Sequence, residues 1–488
     1  MTDSNDSLLF INGELKPARS GKRYPNICPS NGQVVGHAAD AAVEDMEDAI
    51  AGARVAFDQS KWATDRDLRI HALTQLKELL VAARPRLKQI ALDEVGAPGG
   101  CIYGPHCDAP LSFLDYPIET LKNYKFEREL PVVNTMGTPS KRLVWKEAAG
   151  VVGAITPWNV PLQINLAKIF PALAAGCTVV LKPAPETPWS ATVLGELVQK
   201  TDIPRGVFNV VTSAEPVTVG EKLVTDPRVD MISFTGSTAT GRRIMAAGAP
   251  TIKKLFLELG GKSAFIVLDD ANFEQVIPTS AFFVLYHAGQ GCACFTRLLV
   301  PRKRYEESIR MLKAAFEAMP YTDPKSDQQI MGPLISERQR ERVLSYIKIG
   351  QEEGARLVTG GGIPADAPKG GFYVQPTLFA DVNNSMRIAQ EEIFGPVLCV
   401  IPHDGDDDAV RIANDSIFGL SGGVASASHE RALSIARRIR TGTYAVNGAN
   451  YFAADTPFGG YKQSGIGREM GIEGFEEYLQ TKSVAVPA

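Results

Sequence analysis

Apolar residues return every three or four positions through Val43–Asp58 and Asp65–Ala83, the rhythm of a helix with one buried face. Thr64-Asp65 supplies a start signal for the second helix. Short β-branched runs follow at Gly150–Ile155, Thr178–Lys182, Val207–Val211 and Val229–Phe234, separated by helical stretches at Ile164–Ala175 and Pro188–Lys200. Strands alternating with helices predict crossover units and a mostly parallel sheet. A second α/β series begins after Gly260-Gly261. It comprises Ala264–Leu268, a helix leading to His287, Arg297–Val300, a helix over Tyr305–Ala318 and another over Ala432–Arg440. A boundary is expected near Gly260, and a Gly/Pro-rich surface loop from Gly360 to Gly371.

Two stretches keep a period of two instead. Phe126–Lys146 alternates around "NTMGTPSK" and predicts a projecting hairpin, while the alternating tail Leu479–Val486 predicts an edge strand that pairs with a neighbour.

Composition narrows the class. At 488 residues the prior is about three domains of ~150 residues, with ample core. The net charge of −4, with 22% charged and 44% hydrophobic residues, points away from nucleic acid and from an anionic membrane surface. No apolar run approaches the length of a membrane span. The acidic, polar start "MTDSNDSLLFINGEL" does not read as a targeting signal, and seven scattered cysteines do not read as a disulfide framework. A reducing cytoplasm is the expected location.

"YHAGQGCACF" holds Cys292 and Cys294 one residue apart, with His287 upstream. The pattern admits a metal clip, half a disulfide framework, a redox pair, or one reactive thiol beside an inert one. At most three ligands are present and no second cluster follows, so no metal site is expected. "VDMISFTGSTATGRRI" runs from a strand through Gly236 and the hydroxyl side chains of Ser237 and Thr238 into a helix, a corner that can hold a phosphate. Its Gly-x-x-x-x-Gly spacing (Gly236, Gly241) is not the standard dinucleotide fingerprint, and such corners are commonly structural. Lys182 ends a strand, where open α/β sheets bind ligands. Asn159, on the proline-stiffened turn "PWNVPL", can donate a fixed hydrogen bond to an oxyanion, or can simply make the turn. Glu258, set among leucines at a strand end, is a candidate general base, although most strand-end glutamates are merely solvated.

Taken in order, "PWNVPL", "LKPAPETP", "FTGSTATG", "LELGGKS", "GQGC", "QEEIFGPV" and "PFGGYKQSGIGRE" resemble the aldehyde dehydrogenase superfamily, and the resemblance covers essentially the whole chain. It implies an aldehyde dehydrogenase-like α/β fold, with two Rossmann-like parallel-sheet domains plus a small β oligomerisation element. Residues 1–125 and 149–260 would form the dinucleotide-binding domain, 126–148 and 476–488 the oligomerisation hairpin and tail, and 261–475 the catalytic domain.

The resemblance also implies site roles. Cys292 would be the nucleophile, Glu258 the general base, and Asn159 the oxyanion donor together with the backbone N–H of Cys292. Lys182 would bind the adenosine ribose, Gly236 and Ser237 the pyrophosphate, and Glu392 the nicotinamide ribose. Ile155, Trp158, Leu259 and Phe394 would line the cofactor site, and Lys168 and Glu469 match positions that relay a proton. The implied reaction is NAD(P)-dependent oxidation of an aldehyde to the acid, through a thiohemiacetal and a thioester that water hydrolyses. A carboxylate at Glu258 argues against transfer to coenzyme A.

Departures refine this. Pro185 stands where NAD-preferring relatives often carry Glu, with Glu186 one residue later. NAD is favoured and NADP allowed. The substrate tunnel would be walled by Val160, Ile164, Ala167, Gly291, Phe452 and Phe458, none of them basic, which suits hydrophobic aliphatic or aromatic aldehydes. The unusual "GAPGGCIYGPHCDAP" could fill that space instead. Cys294 is expected to be a small, semi-buried neighbour and His287 to end a helix without chemistry. A homodimer or homotetramer is expected. The competing readings are a cysteine-dependent esterase and a catalytically inactive structural relative.

Overall fold

The computed structural model describes residues 6–321 and 326–488. The opening residues 1–5 of the acidic start lie outside the described residues.

The first sheet centres on five parallel strands, in the spatial order Lys254–Glu258, Met231–Thr235, Val151–Ile155, Thr178–Lys182 and Phe208–Val210. Both faces are covered, which is why these strands read as continuous apolar runs. Val152, Ala154, Val179 and Leu181 point to one apolar cluster with helices Arg66–Ala82, Pro161–Ala175 and Trp189–Val198. The alternate residues Val151, Val180, Ile232 and Leu257 point to another with helices Val43–Gln59 and Pro216–Thr225. Each such buried Val or Leu contributes about 1.5–3 kcal/mol relative to exposure. The chain runs outward from Val151–Ile155 in one direction, then returns to build the other side. The strand order therefore reverses between Val151–Ile155 and Met231–Thr235, the place where open α/β sheets form a crevice.

The chain crosses to the second sheet between Glu258 and Ser263. Ser263–Val267 lies next to its central strand, parallel to that strand, Phe295–Pro301, on one side and to Gly422–Ala425 on the other. One large apolar cluster packs around this sheet. Gly465–Ile466 then reaches back and pairs antiparallel with Lys254–Glu258, so the late chain closes over the first sheet.

The hairpin is Glu127–Thr135 and Thr138–Ala148. Met136 (φ 57°) and Gly137 (φ 80°) make its turn, both in the positive-φ region that a tight hairpin needs. The tail Leu479–Pro487 pairs antiparallel with Thr138–Ala148 of its own hairpin, giving a three-stranded sheet with two open edges.

Element ends moved for local reasons. Helix Pro161–Ala175 starts earlier than Ile164 because Pro161 occupies the first turn, where its missing N–H costs nothing. Helix His429–Ala436 starts earlier than expected at its Ser428 cap and stops short of Arg440. There, Arg438 N–H to Ile435 O and Ile439 N–H to Ala436 O replace the α-helical pattern.

Candidate active site

The crevice at the strand-order reversal encloses about 760 Å³ and is lined by Trp158, Asn159, Gly236, Ser237, Cys292 and Glu392 among others. It lies between the carboxyl ends of the first sheet and helix Glu337–Glu352, which contributes Arg338 and Arg342. With Arg242 these set three guanidiniums around the crevice, opposite the carboxyl groups of Glu391 and Glu392.

Its floor is tight backbone. Ser237 caps helix Thr238–Gly248 by accepting from Thr240 N–H at 3.2 Å. The helix N-terminus opens beside Gly236, where anions are favoured. A Cβ on Gly260 would meet Glu392 Oε2 at 2.4 Å. Glu392 accepts from Gly261 N–H at 2.9 Å, and burial pushes its carboxyl up to about 7. Trp158 and Phe394 meet edge to face at 5.3 Å, and Leu259 is buried against Gly241. Ile155 ends its strand just below Trp158. Lys182 ends the neighbouring strand with only 2% exposed, its Nζ donating to Pro183 O at 3.3 Å. Burial pulls this ammonium down to about 8, while Glu186 and Glu215 oppose the shift. The helix N-terminus and the closely approached backbone form a cradle that fits a dinucleotide, whereas Lys182 and Ile155 end neighbouring strands outside the lining of the crevice.

Cys292 stands half-buried on the crevice wall, directly after a loop in left-handed conformation. Burial pushes its thiol well above the usual value, and the Glu258 carboxylate pushes it further. Asn159 is buried and donates one amide proton to Gln290 O at 2.9 Å, which leaves the other free. Glu258 is 1% exposed, and neither carboxylate oxygen has a hydrogen-bond partner among the described residues. Burial raises its pKa well above the ordinary carboxylate range, with Glu469 adding to the effect. Lys168 and Glu469 form a buried ion pair at 3.1 Å, and Lys168 also lies over the Phe256 ring.

The expected tunnel residues divide. Ile164 lines the crevice with Cys292, whereas Ala167, on the same helix, lines a separate apolar cavity with Phe113, Leu166, Phe170 and Phe475. Phe452 packs between Phe113 and Phe458, at 5.7 and 6.1 Å, so Phe113, just beyond the unusual segment, joins the aromatic wall. Val160 precedes helix Pro161–Ala175 as its cap. Gly291 does not face open space: a Cβ there would meet Cys294 Sγ at 2.7 Å. Gly291→Ala is therefore expected to lower turnover by crowding the loop, and Cys294→Ala in the same chain to restore it. Comparing kcat of the single and double variants checks this. His287 lies beyond the helix, which ends at Leu285, and adopts φ 49°.

Sequence reasoning missed two organising residues. Gln290 clamps the loop, its Nε2 donating to His287 O and Pro333 O, each at 3.1 Å, and its Oε1 accepting from Ile335 N–H. Ser464 donates to Gly260 O at 2.6 Å and fixes the Leu259-Gly260 turn. Both sit inside quoted motifs, but their partners are distant in sequence. Among the described residues no group of three or more His, Cys, Asp and Glu could hold a metal, and no helix is long and apolar enough to cross a membrane.

A family model described as "Aldehyde dehydrogenase family" matches residues 16–484. A 3-succinoylsemialdehyde-pyridine dehydrogenase from Pseudomonas sp. is 40% identical, with 98% of each chain covered. A crystal structure of Mycobacterium tuberculosis aldehyde dehydrogenase complexed with NAD+ superposes with a TM-score of 0.95 at 41% identity, covering 99% of both chains. A mutant aldehyde dehydrogenase C from Pseudomonas syringae, complexed with NAD+ and octanal, gives 0.92 at 37% identity, with 98% of this chain and 96% of that chain covered. With sequence, fold and site geometry in agreement, the chain belongs to the aldehyde dehydrogenase family.

Proposed function

We propose that the protein oxidises hydrophobic aliphatic or aromatic aldehydes to carboxylic acids with NAD+, through a covalent intermediate on Cys292. The observation that carries this is the placement of Cys292 and Asn159 on the wall of the strand-reversal crevice, with a desolvated, unpartnered Glu258 on the adjoining strand end. Solved relatives bound to NAD+, one of them also to octanal, support the cofactor and the apolar substrate.

Gly236, Ser237 and Lys182 would hold the pyrophosphate and adenosine ribose, and Glu392 the nicotinamide ribose, beside the Trp158–Phe394 ring pair. When bound, the nicotinamide accepts hydride. The thiol of Cys292 must lose its proton before its sulfur attacks the carbonyl carbon, and this half-exposed group gives it to solvent in the crevice. The resulting oxyanion is held by the free N–H of Asn159 and the Cys292 backbone N–H. After hydride departs, a thioester remains on Cys292. Glu258 then takes a proton from water, which attacks the acyl carbon, and the thiolate leaves. Glu469 and Lys168 give that proton a buried route away from Glu258. The apolar cavity beyond Ala167, with no cation among its lining residues, suits an uncharged hydrocarbon or aryl chain. Seven free thiols fit a reducing compartment, and the two open edges of the hairpin sheet fit self-association.

Mixing enzyme, NAD+ and a panel of aliphatic and aromatic aldehydes tests the reading through nicotinamide absorbance. Saturating reduction of NAD+ without coenzyme A is expected, with NAD+ preferred to NADP+. No reduction with any hydrophobic aldehyde would overturn it.

A further inference from the structure

The segment Gly96–Pro110, odd in sequence and unused by the mechanism above, folds into short turns that bring His106 against the loop carrying Cys292. His106 and His287 are 1% and 2% exposed, and their rings meet edge to face at 4.4 Å and 73°. None of the four ring nitrogens makes a well-formed hydrogen bond to the described residues. The polar group facing His287 is the Asn159 backbone. The contact between the rings is therefore one of packing.

What the rings pack against is strained. His287 and Ala288 take φ of 49° and 53°, followed by Gly289 at 71°; side-chain-bearing residues hold such angles only when their surroundings enforce them. The next residue, Gln290, accepts the Asn159 amide proton on its backbone oxygen and ties His287 O to Pro333 O through its own amide. Any movement of His287 thus passes directly to Asn159, and to Cys292 two residues later.

We propose that His106 and His287 are positioning residues: their neutral ring pair wedges the left-handed loop in place and so holds Asn159 and Cys292 in working geometry. The neighbouring titratable groups offer no counter-charge. Burial pushes the Cys101 thiol up to about 12 and raises the Tyr286 phenol, while Asp108 is paired with Arg84 at 2.7 Å. Burial holds both histidines neutral, His287 down to about 4. A ring whose pKa is depressed while wedged keeps the loop closed above the free imidazole value of about 6.5. As pH falls below that, the closed form loses up to about tenfold per unit for each ring that gains a proton on opening, or about a hundredfold for two.

The test measures kcat, KM for NAD+ and thermal midpoint for wild type, His106→Ala and His106→Phe between pH 4.5 and 8. His106→Ala should lose about tenfold to a hundredfold in kcat, with KM for NAD+ unchanged. His106→Phe, which refills the space with a ring that cannot titrate, should regain most of the rate at pH 8. Its acid limb should be one proton less steep than that of wild type, with the Glu258 titration common to both. A wild-type kcat in His106→Ala, a His106→Phe no better than alanine, or an unaltered acid limb would each overturn the proposal. If the alanine variant does not fold, the acid limb of His106→Phe decides alone. The inference rests on the roles proposed for Asn159 and Cys292. A wild type without aldehyde oxidation defeats that reading, whereas active enzyme indifferent to His106 defeats only this one.

Discussion

Cys292→Ser is expected to lose at least about 10³-fold in kcat for aldehyde oxidation, a barrier increase of about 4 kcal/mol, while NAD+ still binds. The serine hydroxyl fills the same space on the crevice wall, so the cradle of Gly236, Ser237 and Glu392 is left intact. What disappears is a group that can become a strong nucleophile and then a good leaving group. Cys294 cannot stand in. Its thiol is half-buried, desolvation pushes it up to about 12, and it packs behind Gly291 outside the lining of the crevice. Steady-state rates, together with NAD+ titration by protein fluorescence, separate the chemical loss from any loss of binding.

Glu258→Gln is expected to uncouple the two halves of the reaction. The amide matches the carboxyl in shape, and burying it costs little extra, because the carboxylate it replaces has no hydrogen-bond partners among the described residues. Glutamine cannot accept a proton, so hydrolysis of the thioester should slow by about 10²–10⁴-fold. Rapid mixing should show at most one equivalent of NADH per active site, followed by near arrest. The wild-type pH profile carries the same signature. Burial raises the Glu258 pKa, so the base form is populated only at higher pH, and kcat should rise through a midpoint well above 4.5. Glu258→Gln should remove the Glu258 component of that rising limb. The sign for stability is the reverse: ionising this carboxyl in the folded state is costly, so its contribution to stability falls as pH rises above 4.5 toward the raised value.

The parallel strands were legible because burial on both faces writes them as unbroken β-branched runs, and Thr178–Lys182 was placed to the residue. Helix Arg66–Ala82 was legible through its cap, since Asp65 accepts from Leu68 N–H at 3.0 Å. The ends that moved did so where proline or a tightened last turn alters hydrogen bonding, at Pro161 and after Ala436. Spacing alone did not single out Cys292 from Cys294 or Glu258 from any other strand-end glutamate; the ordered set of motifs did. The supports stayed hidden for a different reason. Gln290, Ser464 and His106 act through contacts between segments far apart in the chain, and no local pattern encodes such contacts. The same holds for Gly291, expected in the tunnel wall, whose close approach to Cys294 shows only in three dimensions.

The central claim is that the substrate is carried as a thioester on Cys292 and released by a water that Glu258 activates. Incubating Glu258→Gln with NAD+ and a medium-chain aliphatic aldehyde, then measuring intact-protein mass and mapping peptides, tests this most directly. The expected result is one acyl group per chain, located on Cys292 and absent when NAD+ is omitted. Full turnover without an adduct, or an acyl group on Cys294 in place of Cys292, would contradict it.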